Sequence, residues 1–436
     1  MNLNLAQLPS NTVDRTKAIQ SVIDEISRSG GGRIALGPGT WEVATLQLRS
    51  GITFHLEERA TLLASTQLEL YPRFPAQIDN LEQTGIHLLY AEDAENISLE
   101  GPGVIDGQGM HYWKRAESDD QKPYGIFEYY ATGDRPSPLI EFARCRNLRI
   151  ENLTIRNSPS WTLHVCRCAE VLIERIKIRN HMMGPNADGI TINGCQDVWV
   201  HQCDVRCGDD AINVKAVDPD CVTERIIITD CIAQSNCSCF GTGADVRGVI
   251  RNVLFANCMA ISSLRMIQME IWDGGLVENV TFQNIHGSTY PSKGVTCERP
   301  IYLDIQQWIK PEIPLGKMRN ILISNVTCRT RGRIVMTAQD GTSIDQVTLR
   351  DVHLEVPEIE DPEEVVPAAR SYQNSNYNPE TRAARAAVVA DNINGLLLDN
   401  VTVRWPESSG IPMKGLVTRN VRNLKNLNSG LGDCPC

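Results

Sequence analysis

The sequence predicts an all-β protein folded as a right-handed parallel β-helix of about ten coils, with a short helix capping its N-terminal end. Three observations predict this fold. One short apolar pattern returns about every 27 residues, its apolar positions alternate with a period of two, and Asn, Asp or Gly stands between the copies. Alternation with a period of two is typical of β-strands, and a repeat of this length suits a coil that stacks on its neighbour.

Ten copies of the pattern can be aligned along the chain. They begin at Asn96, Asn147, Glu170, Asp197, Arg225, Asn252, Asn279, Asn320, Gln346 and Gly395. The recurring Asn suits a turn, because Asn tolerates a left-handed backbone and bonds nearby main chain. Stacking would therefore place Asn above Asn and form ladders of side chains. A leucine-rich repeat would need Leu at fixed offsets and a helical half, and a propeller would need antiparallel hairpins; neither pattern is present.

The chain is predicted to form a single domain over residues 1–436, with an N-terminal cap over about 1–35. The segment that starts at Asp14 has the apolar spacing of an amphipathic helix, with Asp or Thr near its start and Gly30–Gly32 after its end. Two long insertions interrupt the repeat, at about 107–138 and 355–387. Long excursions from a regular scaffold often carry function, so the first is predicted to form a cleft wall.

Composition narrows the possible partners. The formal net charge is −11 and the pI is near 5.3, which disfavours nucleic acid because phosphate binding needs a basic face. The negative net charge does not exclude an anionic substrate, because a local basic cleft could still bind one. The chain has neither an apolar run of about 18 residues nor the pattern of a secretory signal, so we expect no membrane partner and a cytoplasmic location.

The fifteen cysteines are predicted to be reduced and buried, since no secretory signal is apparent. Three C-x-C pairs offer zinc binding as an alternative, although no further Cys or His stands at the usual zinc spacing. The pairs are Cys166 and Cys168, Cys237 and Cys239, and Cys434 and Cys436.

The densest polar segment runs from Gly184 to Lys215. Asp188 precedes Asp209 by 21 residues, close to one coil, so stacking would bring it near Asp209 and Asp210. Three carboxylates in one patch should raise the pKa of at least one, which suits a general acid. The alternatives are a set of ordinary turns, because Asp and Gly are turn residues, and a calcium site.

These motifs resemble glycoside hydrolase family 28, the polygalacturonase family. The family's N-T-D motif matches Asn186, Ala187 and Asp188, and its G-D-D motif matches Gly208, Asp209 and Asp210. The resemblance implies hydrolysis of an α-glycosidic bond with inversion, without cofactor or metal. Asp209 would be the general acid, and Asp188 and Asp210 would activate the water.

The chain departs from the family where the substrate is recognised. Asn236 stands in place of the His of the family's G-H-G motif. Arg265 fits the Arg of the R-I-K motif, but the Lys position falls on Ile267, or on Gln268 or Glu270 if the register slips. An acidic Glu270 would repel a galacturonate carboxylate, so plain polygalacturonate is predicted to be a poor substrate.

Seven residues near the three aspartates in the repeat are predicted to bind the substrate. They are Asn186, Lys215, Asn236, Arg265, Gln268, Glu270 and Trp272. Arg265 could instead simply pair with Glu270, and Trp272 could be a core residue rather than a sugar platform.

Together these features predict a glycosidase that acts on a pectin-related or other plant-type oligosaccharide and that could form a homo-oligomer. One alternative is a β-helix lyase or other carbohydrate-active enzyme, for which Lys215 and Arg265 are the candidate bases. Another is a non-catalytic carbohydrate-binding β-helix, against which the three matched aspartates argue.

Overall fold

A computed structural model of the chain describes residues 1–3, 9–80, 82–118, 127–272, 274–290, 298–307, 312–363 and 378–434. Two compact units divide in sequence between Asp209 and Asp210. The prediction of a single domain over 1–436 stays a prediction. No helix in these described ranges has the length and apolar character needed to span a membrane.

The first unit is built from three ladders of parallel strands, here numbered in chain order. One ladder contains β1 (Asn2–Leu3), β2 (Gly32–Leu36), β5 (Ile52–Leu56), β8 (Glu95–Glu100), β13 (Arg146–Glu151), β16 (Ala169–Glu174) and β19 (Gln196–His201). The second contains β3 (Gly39–Val43), β6 (Ala60–Ala64), β9 (Val104–Asp106), β14 (Thr154–Arg156), β17 (Lys177–Arg179) and β20 (Asp204–Cys207). The third contains β4 (Leu46–Gln47), β7 (Leu89–Glu92), β12 (Ile140–Ala143), β15 (Leu163–Cys166) and β18 (Ile190–Asn193).

The second unit is built from two ladders of longer strands, which also pair in parallel. One ladder contains β22 (Val222–Thr229), β25 (Val249–Ser263), β27 (Leu276–Thr289), β29 (Lys317–Arg329), β31 (Ile344–Glu355), β32 (Ala386–Arg404) and β33 (Lys414–Leu427), and β25 also pairs with β23 (Ile232–Ser235). The other contains β21 (Ile212–Ala216), β24 (Ser238–Val246), β26 (Arg265–Trp272), β28 (Arg299–Gln306) and β30 (Ile334–Ala338), and ends on β32.

The predicted turn positions are confirmed at every copy of the repeat. Nine of the ten starting residues have φ between 53° and 58°, and Gly395 has φ 83°. Their side chains form the predicted ladders: Asn320 Nδ2 donates to Asn279 Oδ1 at 2.6 Å, and Asn279 Nδ2 donates to Asn252 Oδ1 at 3.2 Å. A second ladder links Asn325, Asn284 and Asn257 in the same way. The recurring Asn is thus explained by its tolerance of the left-handed backbone.

The core of each unit is a column of apolar side chains in register. In the first unit the column is entirely buried and contains Ile34, Phe54, Leu99, Ile150, Ile173 and Val200. In the second unit it contains Ile228, Phe255, Phe282, Ile323, Leu349 and Leu398. Phe255 and Phe282 stack with ring centroids 4.6 Å apart. Each strand therefore buries its alternate residues on the strand of the next coil, as the period of two predicts.

Strand length differs between the two units. The predicted strand length of three to six residues fits the first unit, whose ladder strands have two to six residues, but is wrong for most strands of the second unit. In the second unit β25 and β32 run for 15 and 19 residues. The reason is that corner residues with positive φ, such as Asn257 and Asn400, bend these strands while ladder pairing continues on both sides of the corner.

The predicted N-terminal helix is confirmed as α1 (Thr12–Arg28), with Thr12 and Asp14 in its first turn as expected. Asn11 is the N-cap, and its side chain accepts a hydrogen bond from the backbone N–H of Asp14 at 2.9 Å. Further helical segments among the described residues include α2 (Pro379–Ala383) and two 3₁₀ turns, Leu68–Leu70 and Gly109–Tyr112. The first insertion also carries an antiparallel hairpin, β10 (Trp113–Arg115) and β11 (Tyr129–Ala131).

All thirteen cysteines in the described ranges are buried and in the thiol form, as predicted; Cys297 and Cys436 lie outside those ranges. Three of them stack on successive coils, with Cys145 N donating to Cys168 Sγ at 3.3 Å and Cys168 N to Cys195 Sγ at 3.2 Å. Burial raises the pKa of Cys239 to about 12. Thiols of this kind are small packing residues with low reactivity.

Asn284 tests the role of the corner ladders, because it donates to Asn257 and accepts from Asn325 at φ 55°. Asn284→Ala should lower the free energy of unfolding by about 2–3 kcal/mol, through two lost hydrogen bonds and a strained left-handed Ala. Asn284→Gly should cost about 1 kcal/mol less, because glycine adopts this backbone without strain. Chemical unfolding followed by circular dichroism measures both. Equal losses in the two variants would contradict a backbone role for the corner.

Candidate active site

Asp188 lies just before β18 in the first unit and is 3% exposed. Its backbone is held by one residue of the preceding coil. The N–H and Oγ1 of Thr162 both donate to the carbonyl oxygen of Asp188, at 3.1 and 2.6 Å. The Thr162 hydroxyl in turn accepts a hydrogen bond from Asn180 Nδ2 at 2.7 Å. The carboxyl group of Asp188 therefore projects from a turn with a fixed main chain.

Asn186 shapes the same turn and adopts φ 53°, which explains an Asn at this position of the motif. Its side chain has two partners. Asn186 Nδ2 donates to Glu82 Oε1 at 2.6 Å, and Arg135 Nη2 donates to Asn186 Oδ1 at 3.4 Å. Glu82 also accepts a hydrogen bond from Trp161 Nε1 at 2.7 Å. Glu82 and Arg135 are thus positioning residues for this turn that the motif search missed.

The first insertion packs beside this segment. The hairpin residue Trp113 lies so close to Gly184 that a Cβ there would meet the indole ring at 2.4 Å. The ring of Tyr129 meets that of His181 edge-on, with centroids 5.0 Å apart. The hairpin therefore contacts the residues that lead to Asp188, and its role as a cleft wall remains a proposal.

Asp209 follows β20 as the last residue of the first unit and is half-buried. The glycine before it is required by close contact, because a Cβ on Gly208 would lie 2.4 Å from the carbonyl oxygen of Gly184. The thiol of Cys207 donates to the carbonyl oxygen of Asp209 at 3.0 Å. Close packing with the coil of Asp188 thus accounts for the glycine of the G-D-D motif.

Asp210 begins the second unit, two residues before β21, and is 6% exposed. The buried hydroxyl of Ser238 donates to its Oδ1. Asp210 and Cys237 also offer ligand atoms within 4.8 Å of each other, and Asp218, Asp220 and Cys221 form another group with the same spacing. Among the described residues of the second unit, these are the groups whose ligand atoms lie close enough together for a cation, and acidic groups are common without one.

Two predicted binding residues of the second unit are already engaged by protein. Asn236, which stands in place of the family His, is 1% exposed and accepts a hydrogen bond from the hydroxyl of Tyr290. Lys215 is 5% exposed, and its Nζ forms an ion pair with Asp245 Oδ2 at 3.2 Å. A Lys paired in this way is a poor candidate for the base of a lyase.

Arg265 and its predicted neighbours form a buried group on β26. Arg265 Nη1 donates to Gln268 Oε1 at 2.5 Å and lies 3.7 Å from Glu270 Oε1. All three residues are at most 2% exposed. Arg265 and Glu270 therefore pair as the alternative expects, and the role of Arg265 in substrate binding stays a prediction.

The protonation of Glu270 changes the argument about repulsion. Burial raises the pKa of Glu270 to about 8, with Asp304 and Asp210 acting in the same direction and Arg265 and Arg299 opposing it. Below pH 8 the side chain is mostly a neutral acid that can donate a hydrogen bond. The repulsion expected from the sequence consequently applies only above about pH 8, and sequence reasoning overlooked this because it assumed an ionised carboxylate.

Trp272 is 4% exposed, and its Nε1 donates to Asp304 Oδ2 at 2.8 Å. The same oxygen accepts hydrogen bonds from the Tyr302 hydroxyl at 3.0 Å and from Gln306 Nε2 at 3.2 Å. Trp272 is therefore packed as a core residue rather than presented as an open platform for a sugar ring.

Arg299, Tyr302 and Asp304 were not selected from the sequence. Arg299 pairs in register with Arg265 on the adjacent strand, and its guanidinium carbon lies 4.1 Å from the centre of the Tyr302 ring. A signal was present, because RPIYLDIQ on β28 repeats the order of RMIQMEIW on β26. The two segments start 34 residues apart, which hides the repeat from a search at 27.

The chain belongs to the family Glycosyl hydrolases family 28, whose model matches residues 42–369. A probable polygalacturonase of Vitis vinifera is 28% identical over 285 residues, which cover 61% of this chain and 56% of that protein. An endo-polygalacturonase of Pectobacterium parmentieri is 20% identical, over 80% of this chain and 86% of that protein. The chain spans about half the length of the plant relatives it matches.

Solved structures share the fold. An exopolygalacturonase from Thermotoga maritima aligns with TM-score 0.66 and 22% identity, over 81% of this chain and 87% of that one. The family 28 exopolygalacturonase of Yersinia enterocolitica aligns with TM-score 0.70 and 18% identity, over 100% and 79%. The predicted right-handed parallel β-helix is thereby confirmed as the fold class, and the family is one of O-glycosyl hydrolases.

Glu270 generates a prediction about pH. Its folded-state pKa of about 8 exceeds the ordinary 4.5, so the stability it contributes is complete below pH 4.5 and is lost as pH rises through 8. Glu270→Gln should therefore unfold with a higher free energy than the parent protein at pH 9, by about 1 kcal/mol or more, and with little difference at pH 4.5. Unfolding in denaturant at both pH values measures this, with exposed Glu407→Gln as the matched control. A pH-independent effect would contradict the raised pKa.

Proposed function

We propose that this protein hydrolyses an α-glycosidic bond in a pectin-related or other plant-type oligosaccharide, with inversion at the anomeric carbon. The observation that carries the proposal is the family membership across the segment that holds Asp188, Asp209 and Asp210. Asp209 is the general acid that protonates the leaving oxygen, and its partial exposure suits contact with substrate. Asp188 and Asp210 hold and activate the water on the opposite face of the sugar.

Hydrolysis by inversion needs the acid and the base about 6.5–9.5 Å apart, so that a water molecule fits between substrate and base. The turns that present the carboxylates are suited to such fixed positions. Thr162 fixes the main chain of Asp188, and Ser238 orients the carboxylate of Asp210. Held groups contribute more to catalysis than mobile ones, because less order has to be created in the transition state.

Plain polygalacturonate is proposed to be a poor substrate. The family's Lys is absent, and Arg265 is engaged by Gln268 and Glu270. Gln268 and a protonated Glu270 are groups that bind sugar hydroxyls rather than a carboxylate. We further propose a reducing, cytoplasmic location, where the thirteen buried thiols would persist and short oligosaccharides would be the available substrates.

The catalytic assignment is tested by Asp209→Asn. It should lower kcat by about 10²–10⁴-fold, the usual contribution of a positioned acid. Asp188→Asn should be similarly severe, and a substrate with a good leaving group should partly restore turnover to Asp209→Asn alone. Release of reducing sugar from plant-derived oligosaccharides measures this, with Asp345→Asn in β31 as control. Losses of only a few fold in both variants would place the active site elsewhere.

The substrate proposal has its own test. Polygalacturonate should be turned over well below about 10 per second, a typical enzyme rate, whereas at least one mixed pectic oligosaccharide should reach it. Product analysis should show no unsaturated sugar, and EDTA should leave the rate unchanged. Rapid cleavage of plain polygalacturonate would show that another cation serves its carboxylates.

A further inference from the structure

Glu141 is a buried carboxylate on β12 with a histidine on each side of it, here called the His–Glu–His group. His164 Nδ1 lies 2.8 Å from Glu141 Oε1, and His87 Nε2 lies 3.0 Å from Glu141 Oε2. All three residues belong to the first unit and are 0% exposed. Burial opposes the ionisation of Glu141, but the contacts with His164 and His87 outweigh it and lower the pKa of Glu141 to about 2. An ionised carboxylate away from water needs a positive partner.

The contacts of His87 make this residue the positive partner. Its Nδ1 lies 2.8 Å from the carbonyl oxygen of Pro138, which can only accept a hydrogen bond, so Nδ1 carries a proton. Its Nε2 faces Glu141 Oε2 at ion-pair distance, although the two atoms are not aligned as a hydrogen bond. A lone pair on Nε2 would repel the carboxylate at this distance, so Nε2 carries a proton as well. Both nitrogens therefore favour the imidazolium form of His87.

The rings that pack on His87 suit a cation. The ring of Tyr90 is stacked on that of His87, with centroids 5.0 Å apart, and the ring of Phe74 lies 5.9 Å from it. Burial and the neighbouring Glu92 raise the pKa of Tyr90, so the phenol stays neutral and adds no second negative charge. An aromatic face attracts a cation within about 6 Å of its centre. The stacking therefore favours a charged imidazole over a neutral one.

His164 is the neutral histidine of the group. Its Nδ1 donates to Glu141 Oε1, because an ionised carboxylate can only accept. Its Nε2 is buried and has no hydrogen-bond partner among the residues that the structure describes. A proton on Nε2 would leave a charged donor without an acceptor, which costs more than an unpaired lone pair. The geometry thus selects the neutral ring with its proton on Nδ1.

Trp161 and Thr162 connect the His–Glu–His group to the turn of Asp188. The ring of Trp161 packs edge-on against the His164 ring, with centroids 5.4 Å apart. Trp161 Nε1 donates to Glu82, the residue that also accepts a hydrogen bond from the turn. Thr162 donates its N–H and its hydroxyl to the carbonyl oxygen of Asp188. The two residues that precede β15 therefore contact the group on one side and hold the turn on the other.

We propose that the His–Glu–His group positions the turn that carries Asp188. The charge of His87 fixes the carboxylate of Glu141, the carboxylate fixes the ring of His164, and that ring orders the residues before β15. The three are positioning residues, because none of them is exposed to a substrate. The inference rests on the proposed function for its effect on turnover, whereas the protonation states and the order of the turn are independent of it.

The protonation states can be measured by nitrogen NMR of the protein with isotope-labelled histidine. The chain has eight histidines, and His87→Gln and His164→Gln assign the two signals by their loss. At pH 7, His87 should have both nitrogens protonated, and His164 should have a proton on Nδ1 only. Glu141→Gln should make His87 neutral, whereas Glu141→Asp, which keeps the charge, should not. The matched control is Glu100→Gln, which removes the carboxylate partner of His55 from the first ladder and should change neither signal.

Hydrogen exchange tests the positioning without turnover. The amides of Thr162 and Leu163 donate to carbonyl oxygens of the Asp188 turn, each at 3.1 Å. They should exchange about 10-fold faster or more in Glu141→Gln and at the parent rate in Glu100→Gln. On the best oligosaccharide, kcat of Glu141→Gln should fall by about 10- to 100-fold, with a smaller change in KM and partial rescue by Glu141→Asp.

Two results would overturn the proposal. One is a neutral His87 in the parent protein at pH 7, which decides against the charged group even if every variant fails to fold. The other is a folded Glu141→Gln, checked by circular dichroism, that keeps either the parent exchange rate at Thr162 or the parent kcat. A parent protein that cleaves no oligosaccharide would refute the proposed function alone, because neither NMR nor hydrogen exchange depends on turnover.

Discussion

The left-handed residue at each corner is the constraint on which the rest of the structure depends. A residue with φ near 55° turns the chain, and its side chain bonds the equivalent residue one coil away, as in Asn325, Asn284 and Asn257. Each corner thereby fixes the register of the strands on either side of it. Because side chains alternate along a strand, a slip of one residue would exchange core and surface positions. The register of the strands therefore determines where the candidate functional side chains lie.

The same constraint places the candidate residues of each unit on fixed turns or on paired strands. Asn186 is one of the left-handed residues, and the turn it forms carries Asp188. On β26 and β28 the alternate positions are Ile, Met or Leu in register, while the intervening positions hold Gln268, Glu270, Tyr302 and Asp304. Polar groups buried at this density must satisfy one another. In the described residues some atoms of these strands remain without a hydrogen-bond partner, among them Glu270 Oε1 and the side-chain nitrogens of Arg299.

Charge in this region is limited by desolvation. Burial keeps Glu270 mostly protonated below pH 8. Arg265 therefore has two neutral neighbours, the Gln268 amide oxygen to which it donates and the Glu270 carboxyl group. In the proposed function, the groups that stand in place of the family Lys would bind substrate by hydrogen bonding along β26 rather than by charge pairing. Arg299 on the adjacent strand β28 packs its guanidinium against the Tyr302 ring.

The repeat, its corners and the N-terminal helix could be predicted from the sequence, because they follow from local pattern. Every predicted starting residue has positive φ, including the less obvious Glu170 and Arg225. Arg299 could not be found in this way, since an insertion places it 34 residues after Arg265 and hides the coil period. The ionisation of Glu270 and the engagement of Lys215 depend on burial and on partners from other coils, which no local pattern encodes.

The most direct test of the central claim is the configuration of the first product. Proton NMR of the reaction, recorded before mutarotation, reports the anomer that the enzyme releases from an α-linked oligosaccharide. A general acid and a water-activating pair formed by Asp188, Asp209 and Asp210 predict that the β-anomer appears first and the α-anomer follows slowly. Initial release of the α-anomer would indicate a covalent intermediate, and an unsaturated product would indicate elimination. Either result would contradict the mechanism assigned to the three aspartates.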